Sequence, residues 1–221
     1  MNKKAVCIIS GGMDSALAAT IAKKSGYEII GLHFNYGQRT EQKELACYKK
    51  IIDDLKVKKS HIIDLPFFEE IGSSALIGEE FDVPTKGIEP GVPITYVPFR
   101  NGIFLSIAAA IAQKYDAKAI YIGVVEEDSS GYPDCRESFI HTMNRAINLG
   151  LREETKVKIE TPLIHLSKEE IVARAIEFGV KLEHTWSCYK NSEKACGVCD
   201  SCRLRKKGFE KIGIEDPIEY I

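Results

Sequence analysis

The feature that most restricts the fold is a regular alternation of short apolar runs with longer helix-forming stretches. The runs fall at residues 5–10, 28–34, 60–65, 119–125 and 157–162, and each has the length of a buried strand. Helical patterns lie between them at 16–25, 40–55, 101–115 and 136–149. A further helix follows Ser167, where Ser167 and Glu170 predict a capping box ahead of Ile171, Val172, Ala175 and Ile176. Strands separated by helices pair in parallel through right-handed crossovers. The expected fold is therefore α/β, a parallel sheet with helices on both faces. Such sheets bind ligands beyond the carboxyl ends of their strands, which places the loops 10–15, 35–39 and 126–136 on one rim.

Two segments break the rhythm. Residues 73–98 show no period and carry Pro84, Pro90, Pro93 and Pro98, four of the chain's eight prolines. A loop of that length inside a compact domain reads as a lid, a binding loop or disorder. From Glu183 onward the chain turns rich in Cys, Lys and Gly. The expected organisation is a main domain over 1–182 and a small module over 183–221 packed on it.

A formal net charge of -2 in 221 residues argues against a broad basic face for nucleic acid. The apolar run after Lys4 is too short for a signal peptide or a membrane span, so a cytoplasmic location is expected. Seven cysteines in a reducing compartment read as metal ligands or small core residues before disulfides. Oligomeric state is not written in the sequence; a homodimer is compatible with it.

The first strand-to-helix turn reads Ile9-Ser10-Gly11-Gly12-Met13-Asp14-Ser15-Ala16-Leu17. Two glycines let the backbone turn sharply and gather its N–H groups, and the following helix adds its positive end. The hydroxyls of Ser10 and Ser15 can donate to phosphate oxygens. Asp14 repels phosphate unless a cation lies between them, so a Mg²⁺-bound nucleotide suits the whole stretch. A glycine turn with an N-cap serine is the plainer alternative. No lysine follows the second glycine, so this is not a Walker loop.

S-G-G-x-D-S after a first strand resembles the pyrophosphate (PP) loop of the ATP pyrophosphatases. Three further stretches resemble one family within them, the 7-cyano-7-deazaguanine synthases of queuosine biosynthesis. These are Asn35-Tyr36-Gly37-Gln38-Arg39, Val97-Pro98-Phe99-Arg100-Asn101 and Ser130-Gly131-Tyr132-Pro133-Asp134-Cys135-Arg136. The tail from Trp186-Ser187-Cys188-Tyr189 fits as well, and only Asn35 and Thr40 depart, standing where that family often has His.

The resemblance implies a Rossmann-like fold of the adenine nucleotide α-hydrolase type. It implies ATP-dependent conversion of 7-carboxy-7-deazaguanine and ammonia into the nitrile. Residues Ile9 to Leu17 would bind ATP, with Ser10, Asp14, Ser15 and Arg39 catalytic. Arg100, Asn101, Tyr132, Asp134 and Arg136 would bind substrate.

The residues themselves are compatible with those roles. Arg39, Arg100 and Arg136 fall near strand ends or helix starts, where guanidinium forks can hold phosphate or carboxylate. Each is equally a surface salt-bridge residue. Asp134 can accept from a guanine-like base or form an Asx turn; Tyr132 or Phe99 can stack on a heterocycle or simply pack.

Cys188, Cys196, Cys199 and Cys202 form C-x₇-C-x₂-C-x₂-C. Four thiolates close a tetrahedron and leave no open position, so one structural Zn²⁺ per chain is expected. An iron–sulfur cluster is the competitor, and with it a PP-loop tRNA thiolase. A nucleotide-binding zinc module without catalysis is the third reading. Cys7 and Cys47 read as core residues, and Cys135 as a thiol at a helix start where its thiolate is favoured.

Overall fold

The structure, a computed structural model, describes residues 3–78, 80–87, 91–126 and 131–221. Five strands form one sheet: β1 (Lys4–Ile8), β2 (Glu28–Asn35), β3 (Lys59–Asp64), β4 (Ala119–Tyr121) and β5 (Lys158–Glu160). Their order is β3-β2-β1-β4-β5 and every pairing is parallel. The helices are α1 (Met13–Lys24), α2 (Glu41–Asp54), α3 (Phe67–Ile71), α4 (Arg100–Tyr115), α5 (Glu137–Gly150), α6 (Lys168–Glu177) and α7 (Asp200–Lys211). The expected α/β sheet is present.

Strand β1 shows why the sheet is covered on both faces. Val6 and Ile8 join one apolar cluster with Leu32, Leu105 and Ile120. Ala5, Cys7 and Ile9 join another with Ala16, Tyr48 and Ile51. Successive side chains point to opposite faces, and here both faces are dry, so the strand is apolar without a break. Cys7 and Cys47 are buried in apolar clusters, as expected.

Strand order reverses direction between β1 and β4, and the crevice of such a sheet opens at that point. β4 stops at Tyr121, short of the expected 125, because α1 crosses over the next residues. A Cβ on Gly123 would lie 2.7 Å from the Asp14 carbonyl carbon and the Ser15 nitrogen. The sheet strand therefore gives way to a segment that runs beneath the start of α1. β5 ends at Glu160, before Pro162, which has no N–H for a ladder.

Ser167 and Glu170 form the expected capping box at α6. Two helices were not foreseen, α3 and α7. Of the 73–98 segment, the described residues Ala75, Leu76, Ile77, Val83 and Val97 are buried, and Arg39 N–H donates to the Leu76 carbonyl at 3.1 Å. Among the described residues no helix is long and apolar enough to cross a membrane.

Candidate active site and cysteine cluster

Helix α1 begins at Met13, three residues earlier than its pattern indicated, so Asp14 and Ser15 stand in its first turn. Its N-cap Gly12 has no side chain to offer, which leaves the first-turn N–H groups without a side-chain cap. The serines shape the turn. Ser15 Oγ donates to the Gly12 carbonyl at 2.9 Å and accepts from Ser10 N–H at 3.1 Å. With the Ser15 hydrogen so used, the 3.1 Å contact between the hydroxyls runs from Ser10 to Ser15. Ser10 Oγ in turn accepts from Gly12 N–H at 3.3 Å. Gly11 has φ +98°, and a Cβ there would meet the Glu44 carbonyl oxygen at 2.5 Å. Only glycine suits that position.

Around this turn lies a cleft of about 270 Å³. Ile9, Ser10, Gly12, Met13, Asp14 and Ser15 line one side, and Arg39, Arg100, Asn101 and Tyr132 line another. The rim loops thus meet where topology places them. Ala16 and Leu17 are buried behind the turn and do not line the cleft. Gly11 is likewise buried and outside the lining, and its carbonyl accepts from Trp186 N–H at 2.9 Å.

Arg100 Nη1 donates to Tyr36 Oη at 2.9 Å, and burial raises that phenol to about 12. Phe34 and Phe104 stack at 4.1 Å on the cleft's apolar wall. Tyr132 donates to Thr95 Oγ1 at 2.9 Å. Arg39 Nη2 donates to the Phe81 carbonyl, while its buried Nε has no partner among the described residues.

Three expectations change. Asp134 is buried and does not line the cleft; its Oδ2 accepts from Asn101 N–H at 2.8 Å and so caps helix α4. Arg136 is exposed at the N-cap of α5, off the lining, and Phe99 is exposed against Phe139. Cys135 does line the cleft, but as a thiol: burial, helped by Asp134, pushes it up to about 12. The short turn Pro133–Cys135 separates it from the start of α5, so no helix terminus stabilises a thiolate there. Ser130 lies outside the described residues.

Sequence reasoning missed Lys168 and Glu44. Lys168 Nζ contacts both Asp14 carboxylate oxygens, at 3.1 and 2.9 Å, from 154 residues away. It is the first residue of α6, and α7 closes on it at Gly208, where a Cβ would lie 3.0 Å from Lys168 Cγ. The signal available was its place: just after Ser167, on the rim that follows β5. Glu44 lines the cleft one turn into α2, just past the Asn35–Arg39 loop.

The four tail cysteines converge. Their sulfurs lie within 4.8 Å of one another, and Cys196 and Cys202 are 3.9 Å apart. Zinc–sulfur bonds of about 2.3 Å give a tetrahedral edge of about 3.8 Å, so the set fits a metal ion. Backbone N–H groups of Lys190, Asn191 and Cys196 donate to Cys188 Sγ at 3.3–3.4 Å. Without metal the cluster shares its charge unevenly. Bonds from Cys199 and Cys202 with these amides hold Cys188 low, while the same contact with Cys188 raises Cys199 to about 12. The module also walls the cleft, through Trp186, Ser187 and Tyr189.

A parallel sheet with a hydroxyl- and glycine-built turn at its switch point defines an α/β fold of the PP-loop kind. Two solved structures share it. One is a 4-thiouridine synthetase–RNA complex with bound ATP, at TM-score 0.54 and 21% identity, covering 92% of this chain and 49% of that one. The other is a predicted subunit of a tRNA methyltransferase from Methanocaldococcus jannaschii, at TM-score 0.50 and 18% identity, covering 99% of this chain and 92% of that one.

The family is narrower. Residues 4–213 match the family described as queuosine biosynthesis protein QueC, and the chain belongs to it. It is 66% identical to the 7-cyano-7-deazaguanine synthase of Sulfurovum sp. (strain NBC37-1), over 100% of this chain and 99% of that protein. It is 64% identical to that of Nautilia profundicola, over 99% and 98%, and 62% identical to that of Campylobacter fetus, over 99% and 97%.

Proposed function

We propose that the chain is the ATP-dependent synthase that converts 7-carboxy-7-deazaguanine and ammonia into 7-cyano-7-deazaguanine. It would act in the cytoplasm on a small molecule, with neither nucleic acid nor membrane as partner. The observation that carries this reading is the single cleft that joins the turn at Ser10–Ser15 to Arg100, Asn101 and Tyr132. Full-length relatives that bear the synthase name support it.

A carboxylate resists ammonia until one oxygen becomes a leaving group. Adenylation supplies that group and releases pyrophosphate. The first-turn N–H groups of α1 with Ser10 and Ser15 would hold the departing phosphates, and Lys168 would neutralise charge there. Asp14, with both oxygens turned to a cation, suits Mg²⁺ delivered with the nucleotide, which would screen phosphate charge. Arg39, with an unsatisfied Nε, has capacity for a further acceptor. Arg100 would hold the substrate carboxylate, and the aromatic wall its flat ring. Cys188, Cys196, Cys199 and Cys202 would hold one Zn²⁺, saturated by thiolates and so confined to a structural role.

A tRNA thiolase reading is less well supported, since Cys135 is a buried thiol rather than a reactive thiolate. The test is to incubate purified protein with ATP, ammonium and the carboxylate. Nitrile by mass with AMP and pyrophosphate is expected; ADP as the main nucleotide product would refute the reading.

A further inference from the structure

Glu44 stands between the two halves of the cleft. Its backbone carbonyl packs against Gly11 of the phosphate turn, and its side chain lines the cleft together with Arg100 and Tyr36. Each carboxylate oxygen takes one side-chain donor: Oε1 from Thr40 Oγ1 at 2.8 Å, and Oε2 from Gln38 Nε2 at 3.3 Å. Both donors line the same cleft. Each oxygen therefore keeps acceptor capacity for a third party. Neither bond caps a helix; Thr40 is the N-cap of α2 but gives its hydroxyl to Glu44 instead of accepting a backbone N–H.

We propose that Glu44 is the general base of this site, taking protons from the reacting nitrogen. The proposal rests on the synthase reading above. That reaction must strip all three N–H bonds from ammonia. In the first half, nitrogen attacks the acyl carbon, the C–N bond forms, the C–O bond to AMP breaks and one proton leaves. In the second, the amide oxygen attacks the α-phosphorus of another ATP, pyrophosphate departs and a second proton leaves nitrogen. The C–O bond then breaks, AMP departs and loss of the third proton completes the nitrile.

A base placed between the phosphate turn and the substrate arginine can serve every one of these steps. Burial raises the Glu44 pKa, opposed by Thr40, Gln38 and Arg100 and assisted by Glu41, which brings its basicity closer to neutral operation. Among the described residues the other cleft-lining carboxylates are committed elsewhere: Asp14 faces Lys168, and Asp200 opens α7 beside the cysteine cluster.

The experiment separates adenylation from nitrogen chemistry. Carboxylate-dependent exchange of labelled pyrophosphate into ATP reports the first; conversion of the supplied amide to nitrile with ATP reports the second. In Glu44→Gln, exchange should stay within threefold of wild type, while nitrile formation from either substrate falls at least about 100-fold. Formate should partly restore Glu44→Ala. Full-rate nitrile formation by E44Q, or loss of exchange together with it, overturns the role of Glu44. No exchange in the wild type would instead overturn the synthase reading. Should E44Q fail to fold, Glu44→Asp carries the test: a tenfold or greater loss of nitrile with exchange kept is expected, and an undiminished rate overturns it.

Discussion

Lysine 168 is where a single substitution best separates folding from chemistry. Its Nζ lies 2.9 and 3.1 Å from the two oxygens of Asp14, with side-chain exposures of 12% and 31%. At an effective dielectric near 20, charges about 3 Å apart attract by about 5 kcal/mol, most of it cancelled by desolvation. Lys168→Ala should then cost about 1 kcal/mol of stability, lowering Tm by about 2–4 °C in a chain of this size. The chemical cost is larger. Removing one preorganised cation from a site where phosphate charge develops lowers rates by about 100- to 1000-fold. The assay is carboxylate-dependent AMP release beside thermal denaturation. In the Asp14→Ala, Lys168→Ala double variant the Tm losses should fall short of additive, because the partners share one interaction. Turnover of K168A within tenfold of wild type would refute the argument. A Tm loss above 10 °C would recast the pair as a structural tie.

Three further outcomes follow from particular contacts. Gly11→Ala forces a left-handed φ on alanine and drives Cβ into the Glu44 carbonyl, so it should destabilise by about 1–3 kcal/mol and abolish pyrophosphate exchange; an active, stable G11A would refute the close approach. Cys199→Ser should lower metal content below one ion per chain and depress Tm. Elemental analysis showing iron with labile sulfide in the wild type would overturn the zinc assignment. Burial pushes Asp54 up, but Lys181 and His184 outweigh it and hold the carboxyl below its ordinary 3.8. A depressed folded value gives stability that is present above the unfolded value and lost as pH falls through the folded one. Asp54→Asn should therefore lower Tm at neutral pH and converge on wild type near pH 2–3; a constant gap across that range would contradict it.

Local pattern was enough wherever the cause was local. The unbroken apolar run at β1 announces a strand dry on both faces, and Ser167 with Glu170 announces the start of α6. It failed where a distant neighbour decides. Gly123 yields to α1, so β4 is three residues long rather than seven, as 119–121 against 119–125. Helix α7 was hidden because DSCRLRKKGFEK offers few apolar residues, and its burial comes from α6 beside it. Asp134 and Arg136 belong to a stretch whose pattern matched the family, but the turn at Pro133–Cys135 sends one to cap α4 and the other to the surface. Nothing near Asp14 in the chain names Lys168 as its partner.

The boundary drawn at 182 and 183 marks a change of composition, not a mechanical division. Trp186 N–H donates to the Gly11 carbonyl at 2.9 Å, so the first residues of the tail hold the phosphate turn directly. Arg205 is 1% exposed and fixes this arrangement from α7. It bonds Asp216 at 2.7 and 2.9 Å, the Thr185 hydroxyl at 2.8 Å and the Leu182 carbonyl at 3.2 Å. Helix α7 starts at the cysteine cluster, since Cys199 is its N-cap and Cys202 lies in its first turn. A metal that organises the cysteines thereby sets α7, α7 sets Arg205 and Gly208, and these hold the 182–187 strand and Lys168 against the turn. Metal removal should thus weaken pyrophosphate exchange at temperatures where the sheet is still folded, even though no thiolate touches substrate. Exchange that survives chelation undiminished, with circular dichroism unchanged, would break that chain of contacts as an explanation.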